Sequence, residues 1–266
     1  MRRPFHKMHG LGNDFVIVDA RHEPFEVTAT LARAVADRRL GVGCDQLIVL
    51  EPSDTADLKM RIWNSDGGEV ESCGNATRCV VQLTGAGRID SDGGLLEGKD
   101  LGAEVEIALP EPRFGWDEIP LAYPMDTSAL PMAWDELDQP FAVNVGNPHL
   151  VFFVPDAREV PLQELGPRIE HDPAFPARIN VNVGTYVGDR LKLRTFERGA
   201  GETLACGTGA CASAVAAIVT KRAQSPVRVD MTGGSLTIGW APGEPIRMRG
   251  TATHVFSGEL DLGTLQ

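Results

Sequence analysis

Leu58, Met60 and Ile62 alternate with Lys59 and Arg61, the period of a strand with one buried face. The alternation returns at Val105, Ile107 and Leu109, and short apolar runs over 15–18 and 47–50 predict further strands, the second stopped by Pro52. Residues 28–40 predict a helix: Leu31, Ala34 and Val35 share a face, Thr28 is available as cap, and Gly41 follows. A turn at Ser65-Asp66-Gly67-Gly68 precedes a second helix opening near Gly74-Asn75 and running to Leu83. A proline-rich stretch over 110–140, carrying Trp116, Tyr123 and Trp134, reads as a crossing. Beyond it the scheme returns: strands at 150–154 and 191–196, a turn at 198–201, and a helix from about Gly207 to Lys221. Short strands at 227–231, 236–238 and 246–248 follow, and the last stretch, 253–262, is a candidate to cross back to the first half.

The return is a repeat. Residues 58–75 and 191–208 align without a gap, with 7 of 18 positions identical: Leu58/Leu191, Lys59/Lys192, Arg61/Arg194, Gly68/Gly201, Glu69/Glu202, Cys73/Cys206 and Gly74/Gly207. The cysteines are 133 residues apart. Gly12-Asn13 and Gly146-Asn147, each followed by an apolar strand, lie 134 apart, as do Gln46 and Asn180. A period of half the chain means a duplicated domain and not a solenoid. The expectation is a mixed α/β fold of two pseudo-symmetric halves: 1–112 carrying Cys73, with 256–266 a candidate to cross back, and 113–255 carrying Cys206.

Composition narrows the function classes. Of 266 residues, 42% are hydrophobic and 23% charged, as in a soluble globular protein. A net charge of −12 opposes binding to nucleic acid or anionic membrane, and no basic run exceeds two residues, the length of Arg38-Arg39. The start has no apolar stretch behind its charges and the longest apolar run, 210–219, is too short to span a bilayer, so a cytoplasmic location is expected. The five cysteines, Cys44, Cys73, Cys79, Cys206 and Cys211, lack Cys-x-x-Cys spacing, which argues against a metal site; without a signal peptide, structural disulfides are not expected.

Cys73 and Cys206 each precede a glycine that opens a predicted helix. Positive partial charge there favours a thiolate and predicts lowered pKa values, and the free N–H groups suit a carboxylate. For Cys44, Cys79 and Cys211, in apolar or helix-interior contexts, a buried structural role is the expectation. Two thiols facing each other across a cleft between the halves would form a two-base device, one taking an α-proton and the other returning it from the opposite face. Gly207-Thr208-Gly209-Ala210-Cys211-Ala212 loosely fits a dinucleotide fingerprint, but Lys221 and Arg222 lie where an acidic residue is needed. A Cys–His nucleophile with His149 would make a hydrolase and leave one cysteine unexplained.

The sequence resembles the diaminopimelate epimerase family over essentially its whole length. The resemblance rests on Met8-His9-Gly10-Leu11-Gly12-Asn13-Asp14-Phe15, Asp45-Gln46, Asn64, Cys73-Gly74-Asn75 through Arg78-Cys79, Gly146-Asn147-Pro148-His149, and Glu197-Arg198-Gly199-Ala200-Gly201-Glu202-Thr203 through Cys206-Gly207-Thr208-Gly209-Ala210-Cys211. It implies two α/β domains, each a mixed sheet wrapped round a central helix, with the active site in the interdomain cleft. It implies a cofactor-independent isomerase, interconverting LL- and meso-diaminopimelate on the route to lysine and peptidoglycan, and a homodimer. By matching motif, Cys73 and Cys206 are the acid–base pair, and His149 and Glu197 tune the thiols. Asn13, Gln46, Asn64, Asn147, Asn180, Glu197, Arg198 and the segments Gly74-Asn75 and Gly207-Thr208 bind substrate. Departures from the pattern are Ala76 in place of glycine, Thr208 in place of serine, and Cys44 where a bulkier apolar residue is expected. The pair Glu197-Arg198 stands where the first copy has Asn64-Ser65, the asymmetry needed to bind a substrate that reacts at one end only.

Overall fold

The structure is a computed structural model that describes residues 2–71 and 73–263; Met1, Ser72 and residues 264–266, the end of the segment considered to cross back, lie outside the described residues. By contacts the chain divides into two units, Met1–Ile107 with Gly250–Gln266, and Ala108–Arg249.

The first unit runs β1 (Arg2–Gly10), β2 (Asn13–Asp19), α1 (Ala29–Ala36), β3 (Gln46–Glu51), β4 (Leu58–Asn64), β5 (Glu69–Val70), α2 (Gly74–Thr84), β6 (Arg88–Asp90) and β7 (Leu96–Asp100), with β8 (Val105–Leu109) at its border. β1 pairs antiparallel with β2 and with the chain's last strand, Thr253–Asp261. β2–β3 and β4–β6 are parallel; β3–β4 and β6–β7 are antiparallel. The second unit holds a short hairpin, β9 (Ala133–Trp134) and β10 (Leu137–Asp138), then β11 (Phe141–Asn144), β12 (Pro148–Phe153), α3 (Leu162–Glu170), β13 (Asn180–Val187), β14 (Arg190–Glu197), β15 (Gly201–Thr203), α4 (Gly207–Val219), β16 (Val227–Met231), β17 (Gly234–Gly239) and β18 (Ile246–Gly250). Its pairings repeat the first unit's order of senses: β11–β12 antiparallel, β12–β13 parallel, β13–β14 antiparallel, β14–β16 parallel, β16–β17 antiparallel.

Each unit wraps its sheet round one buried helix. In α2 every residue from Asn75 to Val81 is buried, and in α4 every residue from Gly209 to Ala217. The enclosure of α4 leaves little room for polar side chains, hence its run of alanines, whereas α2 buries Asn75, Thr77 and Arg78. Separate apolar clusters complete the packing. Phe5, Val16, Val35, Leu47 and Trp63 belong to the first; Trp134, Leu150, Phe152, Leu165 and Phe196 belong to the second.

Three departures from the predicted elements have physical causes. β1 was hidden by its charges, but Arg3 and Lys7 are buried and paired: Arg3 reaches Glu23 at 2.7 Å and Lys7 reaches Asp14 at 2.6 Å. α1 stops at Ala36 because residues 37–43 fold back, with the N–H groups of Val42 and Gly43 both donating to the Val35 carbonyl. α3 was hidden by Pro167 in its interior and by a proline, Pro161, at its N-cap.

Candidate functional site

Cys206 is the N-cap residue of α4, with extended backbone at φ −116° and ψ 109°. That geometry turns its sulfur back over the first turn, where the Gly209 N–H donates to Sγ at 3.3 Å and the Thr208 hydroxyl lies 3.5 Å away. Both contacts favour a thiolate. Yet the thiol is held well above its ordinary pKa, chiefly by burial and then by the Glu197 carboxylate. This corrects the expectation drawn from the helix end alone: Cys206 is only 4% exposed, and in a dry site the desolvation cost exceeds what one N–H and one hydroxyl return. Glu197, whose Oε1 accepts the Thr203 hydroxyl at 2.5 Å, supplies the charge that opposes ionisation.

The His149 ring is fully buried on β12, with Nε2 2.8 Å from Asn147 Oδ1 and Nδ1 3.0 Å from Asn182 Nδ2. Burial, reinforced by the Arg198 charge, lowers its pKa to about 3, so the ring is neutral at physiological pH. Asn147 in turn donates to Thr208 Oγ1 at 3.4 Å. Asn182 donates to the Leu150 carbonyl at 2.8 Å and accepts from Thr195 Oγ1 at 3.0 Å.

The turn after β14 carries Glu197 and Arg198 and is pinned from beneath. Asn180 is buried, its Nδ2 donating to the Pro148 carbonyl and its Oδ1 accepting the Arg198 N–H at 2.9 Å. The buried Glu170 carboxylate accepts the Gly199 N–H at 2.9 Å. The Arg198 guanidinium is exposed and donates to the Ala177 carbonyl at 2.9 Å.

Cys73 occupies the equivalent N-cap of α2, but its sulfur does not cap the helix and is part-exposed. It lies 3.8 Å from Asn13 Oδ1. Asn13 donates from Nδ2 to Asp45, which fixes the oxygen toward the sulfur. Asn75 also donates to that oxygen and is itself held by Arg78 at 2.8 Å. Asn13 thus presents a carbonyl oxygen to Cys73, whereas Cys206 meets the Gly209 N–H, the Thr208 hydroxyl and the Glu197 carboxylate. In the same unit Gln46 Nε2 donates to Asn64 Oδ1 at 2.8 Å across β3 and β4, and Gln46 Oε1 is buried without a protein partner.

The sequence reading missed Asp45's role beneath Asn13, Asn182, Thr195 and Glu170. A signal existed for Asn182: it stands in Asn180-Val181-Asn182-Val183, a strand buried on both faces, where an amide needs an explanation. Cys44, Cys79 and Cys211 are buried, and desolvation pushes Cys44 up to about 11 and Cys79 up to about 12. Among the described residues no cluster of three or more His, Cys, Asp or Glu could hold a metal ion, and no helix is long and apolar enough to cross a membrane.

A sequence profile described as Diaminopimelate epimerase matches residues 5–106 and 141–255. The diaminopimelate epimerase of Rhizorhabdus wittichii is 64% identical over 266 residues, covering 98% of this chain and 97% of the relative. That of Sphingopyxis alaskensis is 61% identical over 259 residues, covering 97% of each. Among solved structures, a phenazine biosynthesis protein of the PhzF family from Bacillus anthracis matches with a TM-score of 0.70 at 17% identity, covering 98% of this chain and 100% of the other. A hydroxyproline epimerase from Agrobacterium vitis matches with a TM-score of 0.65 at 14% identity, covering 99% and 94%. At those identities the structural likeness bears on the fold alone.

Proposed function

We propose that this chain, which belongs to the diaminopimelate epimerase family, interconverts LL- and meso-diaminopimelate without a cofactor, using Cys73 and Cys206 as its two bases. Membership makes it an isomerase acting on amino acids; the mechanism is our reading. The observation that carries it is the placing of one cysteine at the N-cap of each of two equivalent buried helices.

One sulfur, as thiolate, takes the α-proton and becomes a thiol. The electron pair left on carbon is delocalised into the α-carboxylate, and the other thiol gives its proton to the opposite face, so protons and charge balance. The free N–H groups opening α2 and α4 suit that carboxylate and its growing charge. Arg198 has the fork geometry for the distal carboxylate, and Glu197 can meet the distal ammonium. The unpartnered Gln46 Oε1, beside Asn64, is a buried acceptor awaiting a donor. Asn13, Asn147 and Asn180 then orient or support these groups.

The test is incorporation of solvent deuterium at one α-carbon of LL-diaminopimelate by reduced, dialysed enzyme, with formation of the meso isomer. Loss of turnover in both Cys73→Ala and Cys206→Ala is expected. Activity on another amino acid only, or dependence on one cysteine alone, would overturn the reading. A homodimer is part of the proposal, and a monomer by light scattering at working concentration would remove it.

A further inference from the structure

The two units place different chemistry at equivalent strand positions. In the first, Phe15 on β2 pairs with Gln46, and Ile48 on β3 pairs with Ile62 on β4. In the second, His149 on β12 pairs with Asn180, and Asn182 on β13 pairs with Thr195 on β14. Phe15, Ile48 and Ile62 are fully buried, so the fold accepts an apolar core at these positions. The second unit instead buries an imidazole, an amide and a hydroxyl there, all at most 3% exposed. Such groups add nothing to packing that the first unit's side chains do not supply.

The directions of their hydrogen bonds follow from one fixed acceptor. The Leu150 carbonyl can only accept, so the Asn182 atom 2.8 Å from it is the amide nitrogen. The amide oxygen accepts the Thr195 hydroxyl, which holds the other end. The second hydrogen on that nitrogen faces His149 Nδ1 at 3.0 Å, so Nδ1 must present its lone pair. A neutral imidazole then carries its proton on Nε2, which donates to Asn147 Oδ1. That sets Asn147 with its nitrogen toward Thr208 Oγ1, and the hydroxyl, accepting there, has its own hydrogen free for Cys206 Sγ.

We propose that Asn182, four hydrogen bonds from the sulfur, is a positioning residue: it locks His149 as the Nε2–H tautomer and thereby, through Asn147 and Thr208, delivers a hydrogen-bond donor to Cys206. Its consequence for catalysis rests on Cys206 being one of the two bases; the lock itself does not. The charges facing the relay are Arg198, which acts on His149, and Glu197, which acts on Cys206. Arg198 disfavours the imidazolium and so keeps the ring in the neutral form the relay requires. Glu197 opposes the thiolate, which makes the Thr208 donor the more consequential.

The first test is nitrogen NMR of the full chain labelled in histidine, with His149 assigned by its absence in His149→Gln. The expected result is a bare Nδ1 and a protonated Nε2, unchanged from pH 5 to 8. A protonated Nδ1, or titration in that window, overturns the proposal. The second test is Asn182→Asp, whose side chain cannot donate to Leu150 and His149 together. It should move the ring proton to Nδ1, raise the pH midpoint for alkylation of Cys206 by iodoacetamide by about one unit, and lower kcat about tenfold with little change in KM, the scale of one charge-assisted hydrogen bond. A folded variant with the wild-type tautomer and alkylation profile overturns the proposal. Should that variant fail to fold, Thr208→Val removes the last donor, along with the acceptor of Asn147, and should give the same alkylation shift; an unchanged midpoint counts against the relay. NMR and alkylation are read without substrate, so a failure of the epimerase reading would leave them intact.

Discussion

Gly209→Ala is the sharpest test of the packing argument. In a solvent-exposed helix the substitution stabilises by ~0.5–1 kcal/mol, because glycine loses more backbone freedom on folding. Here the added Cβ would stand 2.5 Å from Asn182 Oδ1, 2.8 Å from Thr195 Oγ1 and 3.2 Å from Cys206 Sγ. None of these is the loose end of a flexible chain. Asn182 is held at both ends by Leu150 and Thr195, and Cys206 is fixed by the Gly209 N–H itself. Relief would push the Asn182 and Thr195 side chains apart, at ~0.5–1.5 kcal/mol for their hydrogen bond, on top of ~1–3 kcal/mol for overpacking. Against the helix gain this predicts a net loss of about 0.5–4 kcal/mol in urea or thermal unfolding, with a fall in kcat as the sulfur shifts. The equivalent residue of the first unit is Ala76, fully buried, and the positions equivalent to Asn182 and Thr195 there hold Ile48 and Ile62. A Gly209→Ala protein as stable as wild type, with unchanged kcat, would refute the reasoning.

Burial lowers the His149 pKa from 6.5 to about 3, so between those values only the unfolded chain takes up this proton. Its contribution to stability is therefore full above pH 6.5 and is lost as pH falls toward 3, with a slope of about 1.4 kcal/mol per pH unit. The difference in unfolding free energy between wild type and His149→Gln should shrink from pH 6 to 4; parallel curves would show that His149 does not contribute. Glu170→Ala removes the acceptor of the Gly199 N–H beneath the Arg198 turn, at ~0.5–1.5 kcal/mol. KM for diaminopimelate should rise about tenfold or more with a smaller change in kcat, and an equal loss in both would argue against a role in binding. Brief iodoacetamide treatment at pH 7.5 should modify Cys73 first, since Cys44, Cys79, Cys206 and Cys211 are buried. Early labelling of Cys44 or Cys79 on a peptide map would contradict their raised pKa values.

Much of this molecule is legible in its residues alone. Strand alternation locates β4 and β14, fixed spacing exposes the duplication, and Cys-Gly at two helix starts marks the two thiols proposed as bases. These are local signals, written in the period of a strand or in the residue types that can begin a helix. β1 is not legible because its charges read as exposed, and only pairing across the fold to Glu23 and Asp14 makes their burial tolerable.

The thiol environment is not legible for a related reason. The helix end is local and favours a thiolate; desolvation and the Glu197 charge are tertiary, and at Cys206 they prevail. Likewise the sequence names His149 but cannot say what it faces, since its partners Asn182 and Asn147 reach it across strands and a turn. The sequence by itself determined which residue types stand at the two helix starts and that the halves are copies. Tertiary structure alone decided which copy buries its cysteine and fills the surrounding core with amides, because hydrogen-bond direction and desolvation depend on neighbours far apart in the chain.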